Sequence, residues 1–382
     1  MRSYLPPILY LLLACAVGIQ AQDKIADAVA TDGKLSTLRS ILTSNPALAQ
    51  LLDDKSYGQR TFLAPSDAAF AKYAAETNTT IRGGNFSRTQ LEAILSYHVM
   101  NGSFPASNLT SRGGVAAATF LQDSQYTNLG GGGGGNVVYA SRYGSSGEAS
   151  AAGKLEVFGG VGNSAPIVTT DIKYGNGYVH VVDNLLSLPQ TCTSSMGKLS
   201  LTSLTQALNR AVLAQTLDTT PGVTCFAPSQ EAFAALGNPE GKLSPKELSD
   251  TLMLHTLGKA EYSPDLETGG EYPTLMTGQS VKVVRESGSL YITGGGGGKA
   301  KVLRGNVIVK NGVMHVIDQV LTPSSTNGSS SSPTSSSGAG TGDSSPSVSG
   351  FSKNSSSGNH IVPSTALLFT AITIIFSRVI LA

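Results

Sequence analysis

The chain is poor in charge: Asp, Glu, Lys and Arg make up 13% of its 382 residues, against roughly 25% in typical soluble domains. The charge present is almost balanced, net +1, and no Lys/Arg cluster occurs. The positive footprint that neutralises a phosphate backbone is therefore missing, which excludes nucleic acid as a partner. Catalytic signatures are missing as well. There is no G-x-S-x-G elbow, no H-E-x-x-H and no Cys–His constellation. The glycine runs satisfy G-x-G-x-x-G trivially but open no helix after a strand, and "GGGGGKA" lacks the Ser/Thr that a phosphate-binding loop places after its Lys. The expectation is a protein that is not an enzyme and holds no cofactor and no metal.

Cysteine is scarce too. Cys15 falls in the leader, which leaves Cys192 and Cys225, too few for a metal site without further ligands nearby. In an oxidising compartment such a pair reads most simply as a disulfide, a link that contributes roughly 3 to 4 kcal/mol on the chain-entropy model.

What the chain does contain begins with its ends. "MRSYLPPILYLLLACAVGIQA" sets Arg2 before an apolar stretch ending in small residues, the pattern of a secretory signal peptide over residues 1–21, cleaved before Gln22. The alternative, a short membrane anchor, has an apolar core too short to span comfortably. Sequons begin at Asn78, Asn85, Asn101, Asn108, Asn327 and Asn354, and their crowding between residues 78 and 110 points to a glycan-covered region. Residues 324–354 form a Ser-rich stretch with almost nothing to bury, read as a disordered stalk open to O-glycosylation. Small residues at Asn354, Ser355 and Ser356, a polar spacer and an apolar tail make 355–382 a GPI-attachment signal removed on maturation; a transmembrane helix is the competing reading.

Between these ends the chain repeats itself. "TFLAPSDAAF" at Thr61 recurs as "TCFAPSQEAF" at Thr224, each a strand running into a helix N-capped by Ser66 or Ser229. "SRTQLEAILSYHV" and "SPKELSDTLMLHT" share a capping box, Ser87 with Gln90 and Ser244 with Glu247, with Pro245 suited to the first helical position. "NGYVHVVDNLLSLP" at Asn176 recurs as "NGVMHVIDQVLTP" at Asn311, where Asn-Gly predicts a type I′ hairpin turn and the prolines Pro189 and Pro323 are expected to end the second strand. In that strand Val179 and Val181 are expected on one face, with His180 and Val182 on the other. Each copy opens with apolar residues at helical spacing: Ile25, Ala28, Val29, Leu35, Leu38, Ile41 and Leu42, then Leu201, Leu204, Leu208, Val212 and Leu217. Helices early and strands late predict an α+β fold in two domains, 22–189 and 190–323.

These three segments, in order and twice over, resemble the hallmark segments of the fasciclin domain. The resemblance implies two tandem domains, each a β-wedge or sandwich flanked by helices, and an adhesive role outside the cell on a surface such as that of a fungus. It also implies partners among cell-wall or extracellular-matrix glycans and proteins, with the lipid membrane reached through a GPI anchor. A binding module for a small apolar or lipid ligand is the alternative. Adhesion in animal members has been tied to positions that here are Tyr97, His98, Asp171 and Ile172; the second copy departs, with Leu254 for the tyrosine and Asn306-Val307 for Asp-Ile.

Four histidines fall in the repeat: His98, His180, His255 and His315. Asp183 and Asp318 follow the second histidine of each copy by three residues, an offset that points them to the opposite face of a strand and away from a shared metal. The expectation is buried histidines whose ring nitrogens are satisfied by backbone.

Overall fold

The computed structural model describes residues 24–77, 87–111, 113–131, 134–142 and 153–323. The leader, the stalk, the tail with its candidate attachment residues, and the sequons at Asn78, Asn85, Asn327 and Asn354 lie outside them.

The first domain is a seven-stranded sheet: β1 (Arg60–Pro65), β2 (Val99–Asn101), β3 (Val115–Ala118), β4 (Val137–Ser141), β5 (Glu156–Phe158), β6 (Ser164–Tyr174) and β7 (Gly177–Val182), in the order β2-β1-β7-β6-β5-β4-β3. Neighbours are antiparallel except β1 and β7, which run parallel and so join the start of the domain to its end. A bridge from Met100 to Thr119 brings the two edges of the sheet together, so it is nearly closed. The second domain repeats this with β8 (Val223–Pro228), β9 (Thr256–Leu257), β10 (Glu271–Pro273), β11 (Ser280–Glu286), β12 (Ser289–Thr293), β13 (Lys299–Val309) and β14 (Gly312–Ile317), in the order β10-β11-β12-β13-β14-β8-β9. There β14 lies parallel to β8, and Leu257 bridges to Thr274.

The α+β class and the two tandem domains agree with the sequence reading. The closed sheet gives each domain two cores. In the first, Phe62, Ala64, Val179 and Val181 pack against the early helices through Ile25, Leu38 and Leu42. Leu63 and Val182 turn the other way, toward Tyr97, Val138 and Val157. Strands buried on both faces need apolar residues at successive positions, and each Leu, Ile or Phe taken from water contributes roughly 1.5 to 3 kcal/mol.

Local signals held where they were local. Both capping boxes form, at Ser87/Gln90 and Ser244/Glu247, and the hydroxyls of Ser66 and Ser229 accept the amides of Ala69 and Ala232. Asp67 does more than favour its own helix: its carboxylate accepts the amides of Ser36 and Thr37 and so caps the helix Ser36–Ser44.

Other expectations need correction. The hairpins exist, but Tyr174 pairs with Gly177 and Val309 with Gly312. The turns are thus Gly175-Asn176 and Lys310-Asn311, and none of these four has positive φ. The strands end at Val182 and Ile317, well before the prolines, because following amides are claimed by side chains: Leu186 N–H donates to His98 Nε2 and Ser187 N–H to Asn163 Oδ1. Val212, expected on a buried helix face, is 83% exposed at φ +57, a left-handed residue that ends the helix Thr202–Arg210.

Candidate functional site

In each copy a loop, a bulge and a histidine are tied together by the same bonds. The long strand β6 breaks register between Thr169 and Ile172, and Asp171 sits in that break at φ +59. Its amide donates to His180 Nδ1 at 3.1 Å, and its Oδ1 accepts the amide of Ala106 at 2.9 Å. His180 Nε2 donates to Phe104 O at 2.8 Å. Thr61 Oγ1 donates to Gly102 O and accepts Phe104 N–H, closing the loop 101–106 onto β1.

The second copy uses Asn306 at φ +50, with its amide on His315 Nδ1 at 3.4 Å and Oδ1 on the Ser263 amide at 2.8 Å. His315 Nε2 donates to Glu261 O, and Thr224 Oγ1 serves Lys259 O and Glu261 N–H. Bulge for bulge and bond for bond, Asp171 corresponds to Asn306. They differ in surroundings. Asn306 is fully buried and its amide nitrogen donates to Ser263 Oγ, whereas Asp171 is exposed and faces Ala106, which offers no hydroxyl.

The other positions implied by the resemblance sit differently. Tyr97 and His98 have no exposed surface, so as they stand they cannot touch a partner. The Tyr97 hydroxyl donates to Val137 O at 2.9 Å. His98 Nδ1 donates to Ile94 O at 2.7 Å and Nε2 accepts Leu186 N–H at 3.1 Å; His255 repeats this with Thr251 O and Leu321 N–H. Ile172 is half-buried against the helical core. Asp171 alone of the four presents a polar group to solvent.

The histidines therefore behave as expected, each a buried clamp between two backbone segments. Burial holds His98, His255 and His315 at about 4 and lowers His180. Asp183 accepts Ser66 Oγ at 2.7 Å and the Asp318 carboxylate accepts Lys301 N–H, so neither joins its histidine. Among the described residues no group of His, Cys, Asp and Glu could hold a metal.

The expected disulfide is not formed. Cys192 and Cys225 are free buried thiols in one core cluster, and Cys192 Sγ donates to Asn311 Oδ1 at 3.4 Å. Burial pushes Cys225 up to about 12 and raises Cys192 well above the usual thiol range, which disfavours the thiolate that exchange needs.

Sequence reasoning missed what covers the bulge of the second copy. Both domains belong to one compact unit. Between them Val137, Tyr139 and Phe158 of the first pack on Tyr262, Ile308 and Val313 of the second. Val161 N–H donates to Ile308 O, Asn128 N–H to Lys310 O and Asn136 Nδ2 to Val309 O. The face around Asn306 is thus an interdomain interface. Through the matched pairs Ile308–Val313 and Lys173–Tyr178, the same face of the first copy carries Lys173, Tyr178 and Pro105. It is open, with Asp171 and Lys173 exposed and Tyr178, half-buried, stacked 6.5 Å from the His180 ring.

Elsewhere, a groove of about 530 Å³ on the second domain is lined by Thr202, Thr205, Gln206, Asn209 and Arg210 beside Gly197. Arg60, fully buried, lies between the rings of Tyr57 and Phe120 and donates Nη2 to Asp54 O; no sequence pattern marks it.

Residues 33–189 and 199–323 match the family described as Fasciclin domain. The chain is 26% identical over 315 residues to a fasciclin-like arabinogalactan protein of Arthroderma benhamiae, covering 82% of this chain and 70% of that protein. It is 25% identical to the fasciclin-like arabinogalactan protein elcF of Phaeosphaeria nodorum, with coverage of 78% and 88%. Human periostin is 27% identical over 275 residues, 70% of this chain but 29% of periostin. A solved FAS1 domain pair from the insect cell adhesion molecule Fasciclin I covers 75% of this chain at 19% identity and TM-score 0.36.

Proposed function

As the chain belongs to the fasciclin domain family and carries two of its domains in tandem, we propose that it is a non-enzymatic adhesion protein of the cell surface. In this reading a signal peptide exports it, the Ser-rich stalk lifts the domain pair, and a GPI anchor tethers it to the plasma membrane or delivers it to the wall. Its partners are wall or matrix glycans and proteins.

One observation carries the reading: the face that docks a domain in the second copy is open in the first, with the Asp171 carboxylate exposed in its bulge. A fold face already used for protein–protein packing, left free and given a charge, suits specific contact more than chemistry. The similarity to fasciclin-like arabinogalactan proteins supports placing it outside the cell.

The test uses cells displaying the full chain and surfaces coated with isolated wall polysaccharide or wall protein. Asp171→Asn installs the residue that the second copy holds in this conformation, so the fold is kept while the charge goes. Saturable attachment lost with Asp171→Asn is expected; attachment unchanged by it rejects the Asp171 face. Release of the displayed chain by a phosphatidylinositol-specific phospholipase checks the anchor.

A further inference from the structure

Asn101 and Asn108 both begin sequons and both are exposed. Asn101 ends β2, and the chain then forms the loop whose Phe104 carbonyl receives His180 and whose Ala106 amide meets Asp171. Asn108 lies two residues further on, in the single helical turn Ala106–Leu109 that this bond anchors. The two sequons therefore flank the loop that closes onto the Asp171 bulge.

The second copy provides an internal comparison. Matching Phe104 to Glu261 and Ala106 to Ser263 through their shared bonds places Gly258 and Asp265 opposite Asn101 and Asn108, and neither begins a sequon. That loop instead sends Ala260 and Tyr262 into the interdomain cluster. Glycan acceptors thus occur on the loop whose face is open and are missing from the loop whose face is packed. A glycan is bulky and strongly hydrated, and at the rim of a face it excludes a second protein surface without perturbing the fold beneath.

We infer that N-linked glycans on Asn101 and Asn108 gate the Asp171 face, so that their occupancy sets how much of it a partner reaches. The inference rests on the adhesive reading for its purpose and on glycan position for its physics. It predicts that glycosylated and unglycosylated forms differ in access to the face before any partner is considered.

The experiment compares the full chain, made through a secretory pathway, with Asn101→Gln, Asn108→Gln and the double variant, occupancy being read by intact-mass spectrometry. Acylation of Lys173 by a bulky amine-reactive polyethylene glycol reports access to the face; Lys242, exposed on the second domain, is the internal control. Expected is Lys173 labelling several-fold faster in the double variant with Lys242 unchanged, and attachment to the coated surfaces stronger in step. Equal Lys173 rates with both sites occupied overturn the gate, and so do unoccupied sites in the parent chain. Faster labelling with no attachment by any form leaves the gate standing and sinks the adhesive reading alone.

Discussion

The amide of Asp171 donates to Nδ1 of His180 at 3.1 Å, which fixes the tautomer of that ring: Nδ1 must be bare, so Nε2 carries the proton it donates to Phe104 O. His98 is the reverse, with Nε2 receiving Leu186 N–H and the proton on Nδ1. Each domain thus holds one histidine of each tautomer, both neutral, and each ring replaces a backbone-to-backbone bond that the sheet geometry cannot supply. Protonating either ring turns an acceptor into a donor aimed at an N–H.

This gives the chain a defined acid sensitivity. His98, His255 and His315 sit near 4 in the fold against about 6.5 when unfolded. A lowered pKa means that the unfolded state binds protons first. Stability is therefore complete above about pH 6.5 and is lost as pH falls toward about 4, by about 3 kcal/mol for each fully buried ring. Urea midpoints at pH 7 and pH 5 measure it; identical midpoints contradict the neutral-clamp assignment.

The repeated Asn-Gly has a different purpose from the one its local pattern suggests. Asn176 sends its amide to Leu52 O and Asp54 O, and Asn311 to Leu217 O and Thr220 O, tying each hairpin to the early helices. Gly177 and Gly312 lie at φ +141 and +150, where an added Cβ meets the carbonyl oxygens of Arg60 and Val223 at 1.8 and 1.9 Å. Gly177→Ala and Gly312→Ala are each expected to cost more than about 2 kcal/mol, from strain together with displacement of the parallel strand. Thermal melts check this, and a melting temperature within a degree of the parent sinks the account.

Val212 predicts the opposite sign. A β-branched residue at φ +57 pays for a conformation that glycine adopts freely, and at 83% exposure it buries almost nothing in return. Val212→Gly is expected to stabilise the second domain by about 1 kcal/mol, with Val212→Ala giving a smaller part of it. Chemical denaturation of the two variants side by side decides it.

Legibility followed range. Ser87 and Gln90 are three residues apart, and everything needed to read their capping box lies in one window. The meaning of Gly177 depends on Arg60, more than a hundred residues away, and the same two letters spell a common turn; the local reading found the hairpin and misplaced its centre. Tyr97 is buried behind Val137, and no window shows that a tyrosine's hydroxyl is spent on a strand carbonyl. Cys192 and Cys225 do share a core, but composition cannot show that a thiol faces Asn311 instead of its partner. The interface was invisible for a further reason: Val137, Tyr139 and Ile308 are the residue types that also fill ordinary cores, and only the folded pair reveals that they meet across a domain boundary.

The two faces that meet at that interface have counterparts on the outside of the pair. The residues matching Val137, Tyr139 and Phe158 in the second copy are Ser280, Lys282 and Thr293, as the strand pairs Tyr139–Phe158 and Lys282–Thr293 show; those matching Ile308 and Val313 in the first are Lys173 and Tyr178. Each outer face is polar where the inner one is apolar, so the head-to-tail contact does not propagate. Ile308→Lys, which copies the outer residue into the inner face, is expected to place a charge among Val137, Tyr139 and Phe158 and to break the domain contact at a cost of about 3 kcal/mol. The parent is expected to tumble as one body in NMR relaxation and the variant as two, with separate unfolding steps. A variant that still tumbles as one body, with both domains folded, shows that the hydrogen bonds of Asn128 and Asn136 suffice to hold the pair without the apolar cluster.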